Sequence, residues 1–495
     1  MKPKHYKIVN NKTLIDNLGS HVIKSMGWVA GLRYVGQILT WVSTILVMRL
    51  LSPNVFGLMA EASVALGFLM MMSELGLGVA IIQFREVTIE DLRKLCGFVF
   101  IVNIMLAALL WMGAPLLAAY FGELELVSLY RALSMVFFLM CFYIIPQSII
   151  QRNMEFKKKA IIEFSGAIVA SGLTLLLAWW GFEVWSLIVG AISMHVVWAI
   201  TYPFAARLYI HPVFSFRELG RFVSFGGLVT SQRILWYLYS KADIFIGGRF
   251  LDAKALGAYS VALTLSSLPL DKISPIVNQI ALPAYSNIQD DLNRVRHAFL
   301  KSVRMMSLTC FPVSGILFFL ASDLIDLFLG VKWHEVALPM QILSLVIPIR
   351  ILSTLFSPLL IGLGRADIGL LNVFTAFIVM IVSFFWASQS GIIGLCFAWL
   401  VGFSIAFAIM CLWSLRTIGI KATKFLQAFG VPFLASIISV FAGYAYKYFL
   451  DGLMHQYMTV TVSCVIFLGM YFIIILVLDA SRIYELSGLM ARWRR

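Results

Sequence analysis

Four stretches of this chain, Leu95–Phe121, Ala132–Gln151, Val184–Ala206 and Tyr457–Leu478, contain no Asp, Glu, Lys or Arg. Each is long enough to cross a bilayer, since a spanning helix needs about 20 mostly apolar residues. A chain carrying several such runs cannot fold around one water-excluding core, because water would meet too much of the apolar surface. In lipid every helix face can be apolar, provided the backbone satisfies its own hydrogen bonds. A fifth run, Ile368 to Leu415, is twice the length of one span and is interrupted by Ser388-Gln389-Ser390-Gly391. It reads as two helices joined by a tight turn.

Composition agrees. The 495 residues are 61% hydrophobic and 13% charged, against about 25% charged in soluble domains. The pattern predicts an all-α membrane protein of about fourteen transmembrane helices. They are placed near 27–50, 56–84, 95–120, 127–150, 160–181, 184–206, 222–250, 255–283, 302–321, 335–362, 367–388, 391–415, 424–449 and 456–478. The first 26 residues carry Lys2, Lys4, Lys7, Lys12 and Lys24 and do not read as a cleavable signal peptide. Leu14, Ile15, Leu18, Val22 and Met26 recur there at helical spacing, which fits a cytoplasmic amphipathic leader, although a solvated tail fits too.

The loops alternate in charge. One side holds the leader, Arg85/Arg93/Lys94, Arg152/Lys157/Lys158/Lys159, Arg207/Arg217/Arg221 and Arg294/Arg296/Lys301/Arg304. The same side takes Arg365, Arg416/Lys421/Lys424 and the 479–495 tail with Arg482, Arg492, Arg494 and Arg495. The other side is short and poor in basic residues, as in Gly122-Glu123-Leu124-Glu125. The positive-inside rule puts the basic side and both termini in the cytoplasm. The net charge of +14 then reflects loops facing anionic lipid, not nucleic acid. Outer connections this short, the longest from about Ala321 to His334, leave little room for a catalytic domain.

No cofactor or metal site is expected. The six cysteines lie in apolar runs without a C-x-x-C pair, and the seven histidines are scattered. His195, in an apolar run, reads as a satisfied interior residue. A Walker motif is absent, so the chain is not expected to hydrolyse ATP. Trp179, Trp180, Trp185 and Trp333 fall near outer helix ends, where indoles anchor at the interface.

The chain also repeats at an offset of about 200 residues: Arg33, Arg49 and Gly57 match Arg233, Arg249 and Gly257. The offset drifts to about 210 where Phe121-Gly122 pairs with Leu329-Gly330 and Gly181 with Gly391. Two six-helix pseudo-repeat lobes, 27–206 and 222–415, are expected, with two extra C-terminal helices over 424–478. An even helix number gives both lobes the same orientation, a transporter design with substrate held near the midplane.

Ionisable side chains at mid-membrane cost at least about 2.5–3.5 kcal/mol and must face a cavity or a partner. The spans leave Arg33, Glu74, Arg233, Lys241, Asp243, Asp271, Lys272 and Arg350 at such depths, whereas Glu61, Arg131 and Glu163 lie nearer helix ends and can snorkel. Arg33 and Arg233 occupy equivalent repeat positions; the alternative to a shared cavity is a salt bridge such as Arg33 with Glu74. Lys241 and Asp243, two apart, cannot face each other on a helix. Pro269, Pro275 and Pro283 are expected to break the eighth helix, which carries Asp271 and Lys272. Glu74, Asp243 and Asp271 are candidates for ion coupling or ion pairing.

Several segments resemble the polysaccharide transporter branch of the multidrug/oligosaccharidyl-lipid/polysaccharide exporter superfamily, the Wzx-type flippases, and within it the colanic-acid-exporter-like group. They are Met48-Arg49-Leu50-Leu51-Ser52-Pro53-Asn54-Val55-Phe56-Gly57, Gly76-Leu77-Gly78-Val79-Ala80-Ile81-Ile82-Gln83, Pro146-Gln147-Ser148-Ile149-Ile150-Gln151-Arg152-Asn153-Met154-Glu155-Phe156-Lys157 and Leu282-Pro283-Ala284-Tyr285-Ser286-Asn287-Ile288-Gln289-Asp290-Asp291. The resemblance spans about residues 25–420. It implies an inner-membrane flippase that moves undecaprenyl-diphosphate-linked oligosaccharides, with a polysaccharide polymerase and chain-length regulator as partners. For such a cargo Arg33, Arg233, Lys241, Lys272 and Arg350 are the candidate cations, because guanidinium matches phosphate oxygens through paired hydrogen bonds. The competing readings are a multidrug/cation antiporter of the same superfamily and, from another class, a membrane glycan polymerase or ligase.

Overall fold

In a computed structural model of the chain, the described residues are 31, 35–84, 87–207, 211–215, 219–450 and 456–479. They are overwhelmingly helical, with no strand among them. The leader, the C-terminal tail and Arg33 lie outside them, as does the side chain of Arg233. Among the described residues ten helical stretches are long and apolar enough to cross a membrane, one of them the 52-residue Asp367–Ile418, and the shorter apolar helix Val35–Leu50 adds to these. The chain is an all-α, multi-pass membrane protein. It divides into two compact units, residues 1–249 and 250–495.

The first unit contains α1 (Val35–Leu50), α2 (Pro53–Glu74), α3 (Leu77–Gln83), α4 (Ile89–Phe121), α5 (Leu126–Leu133), α6 (Met135–Arg152), α7 (Phe156–Trp179), α8 (Glu183–Ala206) and α9 (Gly220–Phe250). Local chemistry sets the boundaries. Pro53 opens α2, where its missing N–H costs nothing. Thr88 and Asp91 form a reciprocal capping box on α4. Gly122, at φ 83°, closes α4 in a conformation that other residues adopt at a cost. Small residues bring α7 and α8 into close contact: Gly166 faces the Trp198 ring and Gly190 faces Thr174. The α2 backbone is clasped from two sides. Tyr130 donates to the Glu61 carbonyl at 3.0 Å, and Tyr237 donates to the Val64 carbonyl at 2.8 Å.

The second unit contains α10 (Ala253–Ser286), α11 (Leu292–Phe319), α12 (Ala321–Phe328), a 3-10 turn (Val331–Val336), α13 (Ala337–Ser353) and α14 (Phe356–Gly362). It continues with α15 (Ala366–Ala387), α16 (Gly391–Phe397), a π-helical turn (Ala398–Gly402), α17 (Phe403–Ile418), α18 (Ala422–Leu450) and α19 (Gln456–Asp479). Asp252 caps α10 and Asp291 caps α11. The last two helices are pinned to α11: Ser436 donates to the Phe311 carbonyl at 3.0 Å and Tyr471 to the Leu308 carbonyl at 3.3 Å. Lys447 grips both carboxylate oxygens of Asp323 on α12 at 2.8 and 2.7 Å.

Four sequence expectations change. The segment 56–84 is two helices, because Leu75 and Gly76 both turn left-handed and end α2. The eighth helix is not broken: α10 runs unbroken through Pro269, Pro275 and Pro283. Membrane helices tolerate proline where neighbouring groups satisfy the freed carbonyls. Trp333 is fully buried instead of anchoring at an interface, whereas Trp179 and Trp180 are exposed. Glu61 does not snorkel; its residue is wholly buried.

Candidate functional site

The predicted charges fall into environments of three kinds. Some have partners already. Glu74 ends α2 half-buried and is engaged by another group, as are Asp271 and Lys272, which lie exposed on α10. Asp243 is fully buried on α9, where its carboxylate accepts the Ile244 N–H at 2.8 Å and holds a further interaction. Lys241 lies half-buried two residues away on the same helix. Arg233 belongs to α9 by its backbone.

Glu61 is the second kind. Neither of its carboxyl oxygens has a hydrogen-bond partner among the described residues. Tyr130 reaches the Glu61 backbone instead of its side chain. A buried carboxyl without a donor is costly, and the sequence reading missed it because Glu61 stands near a helix end.

Arg350 is the third kind, a cation held by neutral groups. It lies half-buried on α13, two residues after Pro348. Its Nη1 donates to Ser267 Oγ on α10 at 3.1 Å. The guanidinium carbon stands 4.4 Å from the centroid of the Trp399 ring, a cation–π distance. Trp399 is buried on the π-helical turn, and its Nε1 donates to the Tyr259 hydroxyl at 2.8 Å. Phe384 meets the same indole edge-on at 5.5 Å. Among the described residues no carboxylate pairs with Arg350. Tyr259, Ser267 and Trp399 did not stand out in the sequence. Trp399 sits on a π-turn, which leaves no periodicity to read, and Tyr259 and Ser267 are ordinary polar positions of α10.

His195 is satisfied, as expected: Tyr143 lies 3.0 Å from its Nδ1, both side chains are buried, and the two rings stack. Trp198 and Tyr202 complete this aromatic cluster between α6 and α8. Among the described residues no cysteine forms a disulfide.

Comparison with known proteins gives a consistent picture. A family described as "Polysaccharide biosynthesis protein" matches residues 46–338, more than half of the chain. The teichuronic acid biosynthesis protein TuaB of Bacillus subtilis is 26% identical over 371 residues, 74% of this chain and 77% of that protein. The lipopolysaccharide biosynthesis protein WzxC of Escherichia coli is 23% identical, over 82% of this chain and 83% of that one. Among solved structures, the lipid II flippase MurJ in an inward closed conformation superposes with a TM-score of 0.73 at 14% identity. That match covers 92% of this chain and 99% of MurJ. At such low identity it is the fold that is shared.

Proposed function

The chain belongs to the polysaccharide biosynthesis protein family, and from that premise we propose that it is a flippase for lipid-linked oligosaccharides. The cargo is an undecaprenyl-diphosphate-linked repeat unit, carried from the cytoplasmic to the outer leaflet of the bacterial inner membrane by alternating access. The observation that carries this reading is the family match joined to the MurJ-like fold over 92% of the chain. The names of the relatives place them in the synthesis of surface glycans, and the name of MurJ attaches flipping of a lipid-linked saccharide to the shared fold. Both termini are cytoplasmic by charge asymmetry. A polymerase and a chain-length regulator would act on the delivered unit.

The chemistry of the charges supports an anionic cargo. Arg33, Arg233, Lys241, Lys272 and Arg350 are its candidate contacts, and Arg350 has no carboxylate partner among the described residues. A site for cationic drugs would want carboxylates instead. Glu74, Asp243 and Asp271 are candidates for ion coupling, and all three already hold interactions.

Reconstitution tests the reading. Purified protein in liposomes should speed the appearance of undecaprenyl-diphosphate-linked oligosaccharide in the opposite leaflet, scored by a membrane-impermeant glycosidase. No acceleration over protein-free liposomes sinks the proposal. Elongated glycan in the same assay would replace it with a polymerase.

A further inference from the structure

A guanidinium inside a membrane protein normally finds a carboxylate, because an isolated charge there is expensive. Arg350 instead sits on neutral supports that fix its direction, with no carboxylate partner among the described residues. The guanidinium carbon lies over the Trp399 ring, 4.4 Å from its centroid, and one N–H goes to Ser267. Guanidinium carries five N–H donors in a rigid fork, and the others have no acceptor among the described residues. The supports are themselves held. The indole is fixed at its nitrogen by Tyr259 and at its ring by Phe384, and Tyr259 is completely buried. The π-helical turn at Ala398–Gly402 interrupts the regular register between α16 and α17 at the residue that meets Arg350. Such turns recur at functional sites.

We propose that Arg350, Ser267 and Trp399 form an anion-binding site for phosphate oxygens, with Trp399 and Tyr259 as positioning residues. The indole face leaves the guanidinium charged while the Ser267 hydrogen bond limits its direction, and a planar fork matches two oxygens of a phosphate group better than a carboxamide or an ammonium does. Ser267 adds a hydroxyl beside the fork. The identity of the anion as the diphosphate of a lipid linker rests on the proposed flippase function; the anion site itself rests on the geometry.

The test uses the full chain in phosphatidylcholine nanodiscs, titrated with inorganic diphosphate and read by phosphorus NMR line broadening. Saturable broadening is expected for the native protein and is expected to disappear in Arg350→Gln. Trp399→Leu should weaken binding by about tenfold, the order expected from a lost cation–π contact, and Trp399→Phe should recover most of it. Tyr259→Phe leaves the ring in place but frees the indole nitrogen, and should weaken binding severalfold with expression retained and a small drop in melting temperature from the orphaned N–H. In the liposome assay these positioning variants should raise KM and spare kcat. The site is overturned if the native protein shows no saturable broadening, or if Arg350→Gln binds as the native protein does. It is overturned as a cargo site if phosphatidylglycerol in the nanodisc abolishes the signal, since bulk lipid would then occupy it. The two proposals fail separately. Diphosphate binding that depends on Arg350, without flipping, removes the flippase reading alone. Normal flipping by Arg350→Gln and Trp399→Leu removes the cargo role of this site alone.

Discussion

Glu61 and Arg350 both carry charge-bearing groups into helices of membrane length, and their surroundings call for opposite experiments. Arg350 is held by a hydroxyl and an indole face, so removing it should cost ligand binding more than stability. Glu61 is enclosed with nothing among the described residues to accept from. Replacing an unsatisfied buried polar group by an apolar side chain of similar volume is neutral to stabilising, by about 1–3 kcal/mol where the group was fully desolvated. Glu61→Met is therefore expected to raise the melting temperature of the purified protein in detergent. A lower melting temperature would mean that the carboxyl has a structural partner, and the reading of an orphaned acid would be wrong. The pair also marks a limit of sequence reading. Both residues were visible as charges in apolar runs, yet only coordinates tell a carboxyl that reaches water from one that does not.

At the scale of elements, the segment His211–Ser215 between α8 and α9 is strapped onto the start of α4. The Val213 N–H donates to the Arg93 carbonyl at 3.0 Å, Arg93 Nε donates to the His211 carbonyl at 3.3 Å, and Phe214 meets Phe100 edge-on. Gly97 makes this possible, because a Cβ there would run into the Val213 carbonyl oxygen. Backbone cannot yield as a side chain can, so Gly97→Val is expected to release the strap. Limited trypsin digestion should then cut after the exposed Arg207 several times faster than in the native protein, and an unchanged rate would refute the strap. Nothing in the sequence announces this contact, since Gly97 reads as one more small residue in a span. What could be read was the position of the helices. Every expected span overlaps helix, because backbone in lipid must satisfy its own hydrogen bonds. Interruptions were misplaced where the cause was non-local. Leu75 adopts φ 43° without glycine's freedom, and three prolines leave α10 continuous. The π-turn under Trp399 has no compositional mark at all.

At the scale of the whole molecule, a similar order of elements recurs within each unit. In the first, α4 runs to Gly122, a short helix follows, and then comes α6 with Pro146. In the second, α11 and α12 run to Gly330, a short 3-10 turn follows, and then comes α13 with Pro348. Each unit continues with two helices turning at a positive-φ glycine, Gly181 or Gly391. The order fixes which helix ends share a side of the membrane, and the lysines and arginines decide which side that is. Met154, 60% exposed beside the Lys157–Lys159 cluster, belongs to the basic side; Leu124, 86% exposed between Glu123 and Glu125, belongs to the other. Insertion follows the Lys and Arg bias of short loops and is largely indifferent to acidic residues, so Leu124 should face outward although its turn is negatively charged. Single cysteines at these positions, in a background lacking the six native thiols, make the orientation measurable. Leu124→Cys should react with a membrane-impermeant maleimide in intact spheroplasts, and Met154→Cys only after the membrane is opened. The reverse pattern would invert the whole topology. Cargo loaded at the cytoplasmic face would then meet the acidic turns first, and the proposed direction of flipping would fall with the orientation.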